Sequence, residues 1–202
     1  MEDSLIFLDA GFLAKLSKYF GNGKYIQFDI IKFSKNLAKK QNLFIKHIFY
    51  ATAPPFQDTF PTKEERNRKL NYDKFKVRLS KISNLTFLEG RVQRLKLLDG
   101  QFNYSQKGVD TVLTMALSSS PGDFKEIKKY ILVACDTDFS PVAEMLKSKG
   151  IEVILYSYYE KKRDNNFSRS HHLIDSCSKY IKLTKQDFDN SPLLKEDIKD
   201  EK

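Results

Sequence analysis

The sequence predicts an α/β protein with a mainly parallel sheet. Short apolar runs that read as buried strands recur along the chain: Leu5-Ile6-Phe7-Leu8, residues 43–50, Tyr130-Ile131-Leu132-Val133-Ala134-Cys135, and residues 151–156. Segments with apolar residues at helical spacing lie between them, so strands and helices alternate instead of segregating. The 202 residues suit one domain with a sizeable core.

The elements follow in order. Residues 4–9 form a first strand and Gly11 to Phe20 a short helix, broken by Gly21-Asn22-Gly23. Ile30, Phe33, Leu37 and Ala38 mark a helix across residues 29–40, and residues 43–50 form the next strand. A loop opens at Ala53-Pro54-Pro55-Phe56. Thr62 and Glu65 then have the spacing of a capping box. The helix they start places Tyr72, Phe75, Leu79 and Ile82 on one face, with Arg66, Arg68, Lys69, Lys74, Lys76 and Lys81 elsewhere. Residues 85–93 read as a strand, bent and at an edge, and residues 95–105 as an irregular connection or hairpin turning at Asp99-Gly100. Val109, Val112, Leu113, Ala116 and Leu117 form the buried stripe of a helix over 108–118, which Ser118-Ser119-Ser120-Pro121-Gly122 is expected to end. After the strand at 130–135 come a helix over 139–149 stopped by Gly150, a strand at 151–156, a charged loop over 160–169, a short helix over 171–176 and a last strand at 180–183. The tail after about Asp187 is polar and charged and is expected to be disordered, which divides the chain into 1–185 and 186–202.

Composition narrows the function. With 41% hydrophobic and 30% charged residues the chain has the make-up of a soluble globular protein, and no run reaches the length of a transmembrane helix. The polar N-terminus Met-Glu-Asp-Ser is not a secretory signal, so a cytoplasmic location and no membrane partner are expected. Cys135 and Cys177 form neither a CxxC pair nor a disulfide framework, and each reads as a small buried residue. The net charge of +9 favours polyanionic partners such as nucleic acid. No glycine-rich phosphate loop is present, which argues against a kinase or a dinucleotide enzyme.

The chemistry-bearing residues are carboxylates. Asp9 closes the first strand, Asp136 and Asp138 follow the strand at 130–135, and Asp110 opens a helix in Lys107-Gly108-Val109-Asp110. Ligands of open parallel sheets bind outside the carboxyl ends of the strands. Carboxylates gathered there repel one another unless a cation or proton offsets them, and oxygen-only ligands favour Mg²⁺ or Mn²⁺. If residues 136–138 are extended, both carboxylates of Asp136-Thr137-Asp138 face one site. Each also has a local reading. Asp9 and Asp138 suit helix N-caps, Asp136 a turn, and Asp110 the first turn of a helix. His171-His172 lacks companions at ligand spacing and reads as structural.

The succession Ile6-Phe7-Leu8-Asp9, Gln106-Lys107-Gly108-Val109-Asp110, Val133-Ala134-Cys135-Asp136-Thr137-Asp138-Phe139 and Lys149-Gly150-Ile151-Glu152-Val153 resembles the NYN domain, in the LabA-like branch of the PIN-like nucleases. The resemblance spans residues 4–184, and Leu173-Ile174-Asp175 with Tyr180-Ile181-Lys182-Leu183 matches the family's closing helix and strand. It implies a Rossmann-like (PIN-like) sheet of about five or six strands with helices on both faces. It also implies a divalent-metal-dependent ribonuclease in which Asp9, Asp110, Asp136 and Asp138 form the metal cluster and act in catalysis. A homodimer is compatible with the family. Two departures stand out: Phe12 occupies a position that is Asn in many members, and Ala116 one that is Asp.

On this reading the carboxylates bind Mg²⁺ or Mn²⁺ and activate water against an RNA phosphodiester. Lys107 approaches the scissile phosphate, and Thr137 hydrogen-bonds a phosphate or water. Lys161, Lys162, Arg163 and Arg169, with the basic residues on the helix over 64–82, track the backbone, while Tyr158 or Tyr159 stacks on bases. The competing expectation, favoured by Phe12 and Ala116, is a non-catalytic RNA-binding or regulatory module with a degenerate acidic site. A phosphatase-like enzyme fits less well, because those families place Asp-x-Asp after the first strand.

Overall fold

The computed structural model describes residues 1–97, 99–160, 167 and 171–193. Six parallel strands form one sheet in the order β3-β2-β1-β6-β7-β8. They are β1 (Glu2–Asp9), β2 (Leu43–Thr52), β3 (Leu85–Glu89), β6 (Lys129–Val133), β7 (Glu152–Ser157) and β8 (Lys179–Lys182). The first connection runs through α1 (Ala10–Phe20) and α2 (Ile30–Lys39), and the second through α3 (Lys63–Ser80). Beyond β3 the chain makes an antiparallel hairpin, β4 (Arg91–Lys96) with β5 (Phe102–Lys107), and then α4 (Val109–Asp123). A 3₁₀ turn (Thr137–Phe139) leads into α5 (Ser140–Ser148), α6 (His171–Ser176) precedes β8, and α7 (Lys185–Asp189) follows it.

Period-two alternation builds a core on each face of the sheet. Leu5, Phe7, Tyr130, Leu132, Val153 and Leu155 pack against Leu113 and Leu117 of α4, Leu146 of α5 and Leu173 of α6. The intervening Ile6, Leu8, Ile131, Val133, Ile154 and Tyr156 pack against Phe12 and Leu16 of α1, Phe33 and Leu37 of α2, and Phe188 of α7. The chain therefore winds outward from β1 with its helices on one face, then outward from β6 with α4, α5 and α6 on the other. The strand order reverses between β1 and β6, where the connecting segments diverge and leave a crevice at the carboxyl edge.

Three boundaries differ from expectation. The bent strand expected over 85–93 is cut at Gly90: β3 stays in the sheet, while β4 leaves it to pair with β5. A Cβ on Gly90 would lie 2.6 Å from the Lys107 carbonyl oxygen and 2.8 Å from the Val109 nitrogen, so only glycine lets the chain turn against the β5–α4 junction. Helix α4 does not stop at residue 118; it runs through Pro121 to Asp123. Proline has no N–H for the Leu117 carbonyl, and the Ser120 hydroxyl donates to that oxygen instead, at 2.9 Å. The expected tail begins as an ordered element. Phe188 is fully buried, Asp187 and Thr184 form a capping box, and Asp187 also pairs with Lys40. An apolar anchor and satisfied helix ends hold residues 185–193 on the sheet.

Candidate functional site

Asp9 is the last residue of β1 and the N-cap of α1. Its Oδ1 accepts hydrogen bonds from the amides of Gly11 (2.8 Å) and Phe12 (3.1 Å). The local capping reading is therefore realised, but it occupies one carboxylate oxygen only. Burial pushes the Asp9 carboxyl up to about 6; the Phe12 amide opposes this, and the negative charge of Asp110 adds to it.

Asp110 reaches the same place from the far side of the sheet. Gly108, at φ +77°, ends β5 in the left-handed region and turns the chain into α4, and Asp110 then sits in that helix's first turn. Burial raises its carboxyl above the ordinary range, followed by the charges of Asp136 and Asp138.

Asp136 and Asp138 follow β6 and both are exposed; Asp136 lines the cleft described below, and Asp138 is not among its walls. The expectation that they project in parallel from an extended segment is corrected. Residues 137–139 form a 3₁₀ turn, so alternation along a strand does not apply. The Asp136 side chain caps this turn by accepting from the Asp138 amide at 3.0 Å. Asp138 does not cap the next helix; Phe139 holds the N-cap position of α5, with no side-chain cap. The two carboxylates still act on Asp110 through their charge.

These groups surround a cleft of about 1070 Å³ whose walls include Asp9, Asp110, Asp136, Cys135, Lys15 and Lys18. Burial, then the charge of Asp9, pushes the Cys135 thiol up to about 12, which leaves it protonated and unreactive at neutral pH. The Lys15 ammonium opposes the raised values of Asp9, Asp110 and Cys135, so among the described residues it is a cation that acts on the whole acidic floor. Phe12 is buried beneath the cleft with its ring edge-on to Phe167, 6.5 Å between centroids. Ala116 lies in the apolar layer beside Leu113 and Leu117.

The aspartates are close enough to shift one another, yet among the described residues no three His, Cys, Asp or Glu side chains form a group that could hold a metal ion as they stand. The donor set remains chemically suited to a hard cation. It is all carboxylate, and Mg²⁺ commonly keeps several waters and takes only one or two protein carboxylates together with substrate phosphate.

The expected substrate-binding residues divide. Lys107 is exposed at the end of β5 and outside the cleft walls, because its neighbour Gln106 takes the inward position. Thr137 is exposed on the 3₁₀ turn. Lys161, Lys162, Arg163 and Arg169 lie outside the described residues. Tyr158 and Tyr159, one of which is expected from sequence to stack on bases, are both half-buried. Tyr158 packs edge-on against Phe20 and Phe167, Tyr159 lies against Tyr180, and the Lys182 ammonium is 4.7 and 5.2 Å from their ring centroids.

The sequence reading missed Lys15, Lys18, Gln106, Tyr25 and Tyr104, which also line the cleft. The first two had a signal. They lie one helical turn apart on the polar side of α1, opposite Phe12, Leu13 and Leu16, directly after the strand-ending Asp9. Gln106 had none, because its place depends on the hairpin docking over Gly11, where an added Cβ would come within 2.7 Å of its Oε1.

Comparison with known proteins agrees with this architecture. A solved protein of unknown function from Vibrio parahaemolyticus superposes with a TM-score of 0.53 at 17% identity, covering 93% of this chain and 94% of that one, which is a likeness of fold. No curated protein matches the chain. No helix among the described residues is long and apolar enough to cross a membrane. The family model described as the NYN domain matches residues 5–184. Covering nearly the whole sheet and every aspartate of the cleft, that match means that the chain belongs to the NYN domain family.

Proposed function

We propose that this chain is a divalent-metal-dependent endoribonuclease of the LabA-like branch, cutting RNA phosphodiesters at the acidic end of the cleft. The observation that carries the reading is the meeting of Asp9 and Asp110 in the walls of one cleft, beside Asp136. Both stand above the ordinary carboxylate range, by burial first and then by the charge of neighbouring carboxylates. A crevice at the switch point of a parallel sheet that concentrates unbalanced negative charge is suited to a cation.

Asp9, through the oxygen its cap leaves over, and Asp110 supply inner carboxylates, and Asp136 and Asp138 supply outer ones from the turn after β6. Held by these carboxylates, Mg²⁺ or Mn²⁺ would supply acidification of a water and offset of charge at the phosphate. The residues of the chain do the rest. Lys15 and Lys18 hold phosphate oxygens in the cleft wall, and Phe12 with Phe167 closes its apolar side. In hydrolysis the water oxygen bonds to phosphorus and gives up a proton, one P–O bond of the RNA backbone breaks, and the departing oxygen takes up a proton, so that protons balance.

The test uses labelled single-stranded RNA with Mn²⁺, Mg²⁺ or EDTA, and the Asp136→Asn variant. Asparagine still offers an oxygen to the Asp138 amide, so the turn is kept while the charge is lost. Cleavage that depends on metal and falls by about 100-fold or more in the variant is expected. Equal cleavage by the variant, or cleavage in EDTA, refutes the assignment.

The second reading, a non-catalytic RNA-binding module, draws on Phe12 at a position that is Asn in many relatives and on the lack of a ready three-ligand group among the described residues. Binding without fragments in Mn²⁺ distinguishes it.

A further inference from the structure

The acidic cleft is continuous with a second one, about 500 Å³, which runs over the hairpin and is walled in part by Phe56 and Arg68. Tyr25, Tyr104 and Gln106 belong to both. Tyr25 is 57% exposed and Tyr104 50%, and large rings at the junction of two grooves differ from apolar residues scattered singly over a surface.

Each ring is braced by a neighbour. The Lys18 ammonium lies 5.8 Å from the Tyr25 centroid, and the Phe56 ring is 5.4 Å from that of Tyr104, inclined by 59°. Arg94, fixed by Asp58, has its guanidinium 4.6 Å from the Phe56 centroid and 4.4 Å from that of Phe102. Arg94 pairs directly with Tyr104 across the hairpin, and Lys96 with Phe102, so rings and cations share one face of the ribbon.

We propose that Tyr25 and Tyr104 form a base-stacking subsite that leads a single-stranded nucleic acid across the hairpin into the carboxylate cleft. This rests on the RNA reading above and deepens it. Ring faces accept any base by stacking, while Lys15, Lys18 and Arg68 along the walls match the phosphates between bases. The net charge of +9 favours the same polyanion over an apolar partner. A duplex is excluded, because its bases already stack on one another and cannot reach the rings. The subsite would make the protein select unpaired segments by stacking, not by sequence.

Binding is measured on the full chain in EDTA, by anisotropy of a fluorescein-labelled single-stranded RNA dodecamer, so that cleavage plays no part. Tyr104→Ala and Tyr25→Ala are each expected to weaken binding about tenfold, and Tyr104→Phe to leave it within about twofold. The same strand annealed to its complement should bind at least about tenfold more weakly. Tyr104→Trp gives a chain with no native tryptophan a single reporter, whose emission is expected to be quenched as a base stacks on it. Unchanged affinity in both alanine variants, equal affinity for duplex, displacement of the RNA by labelled oligoglutamate at equal charge, no binding at all, or tryptophan emission that stays unquenched when the Tyr104→Trp variant is saturated would each overturn the subsite. The nuclease reading fails separately. Tyrosine-dependent binding with no cleavage in Mn²⁺ removes the activity and keeps the subsite, and cleavage with indifferent tyrosine variants does the reverse.

Discussion

Asp9 holds two roles that a single substitution separates. Its side chain caps α1, and its charge sits in a place that disfavours charge. Asp9→Asn keeps an acceptor oxygen for the Gly11 and Phe12 amides but cannot ionise. The magnitude follows from proton affinity. From an ordinary value of 3.8 the folded chain holds Asp9 at about 6, and each tenfold difference is worth about 1.4 kcal/mol, so ionising Asp9 costs the fold about 3 kcal/mol. A raised carboxyl value in the folded state means that the folded chain binds the proton more tightly. Stability from this group is therefore fully present below about pH 4, declines as pH rises towards 6, and is lost above it. In EDTA at pH 7.5, Asp9→Asn should melt about 6–12 °C above the parent, and the difference should shrink towards zero near pH 4. Asp9→Ala removes the charge and the cap together, so it should give back about 1 kcal/mol of that gain. Thermal melts of the three proteins at several pH values decide the matter. An Asn variant no more stable than the parent at pH 7.5, or a gain independent of pH, refutes the electrostatic account of the cleft. Mn²⁺ provides a further arm: it should raise the melting temperature of the parent and have less effect on Asp9→Asn.

Other expectations follow from the same geometry. Gly90→Ala should lose about 2 kcal/mol or more, because its Cβ meets backbone, whereas Gly122→Ala, where the space is open and the residue lies within α4, should be neutral or gain up to about 1 kcal/mol; urea unfolding of the pair tests the packing of the hairpin junction. Tyr156→Phe removes the hydroxyl that donates to the Leu37 carbonyl and accepts from Gln41, each at 2.9 Å, and should cost about 1–2 kcal/mol by the same measurement. Binding of single-stranded RNA should fall with salt at a logarithmic slope near −2, about −0.7 for each of Lys15, Lys18 and Arg68. A flat titration would remove phosphate contact as the main source of affinity.

The sequence by itself determined the alternation of strands and helices, the positions of β1, β6 and β7, the strand-ending Asp9, and Asp136 in the turn that follows β6. These follow from local physics. A run buried on both faces is continuously apolar, a helix shows its stripe, and a strand that ends in a polar residue at a turn announces its own edge. Helix ends read less well. Residue 121 looked like a stop because proline lacks a donor, and only a hydroxyl one residue earlier, aimed back at Leu117, lets α4 continue. The tail looked detached because its charges outnumber its apolar residues, while a buried Phe188 is enough to anchor α7. Tertiary structure alone decided how the cleft is walled. Strand order brings Asp9 beside β6, the left-handed Gly108 swings Asp110 in from the opposite face, and the hairpin carries Tyr104 and Gln106 over Gly11. Residues 9, 25, 104 and 110 are far apart along the chain, and no local preference encodes their meeting. Only burial of two apolar layers on one twisted sheet draws them to the same edge, where their charges and rings act together.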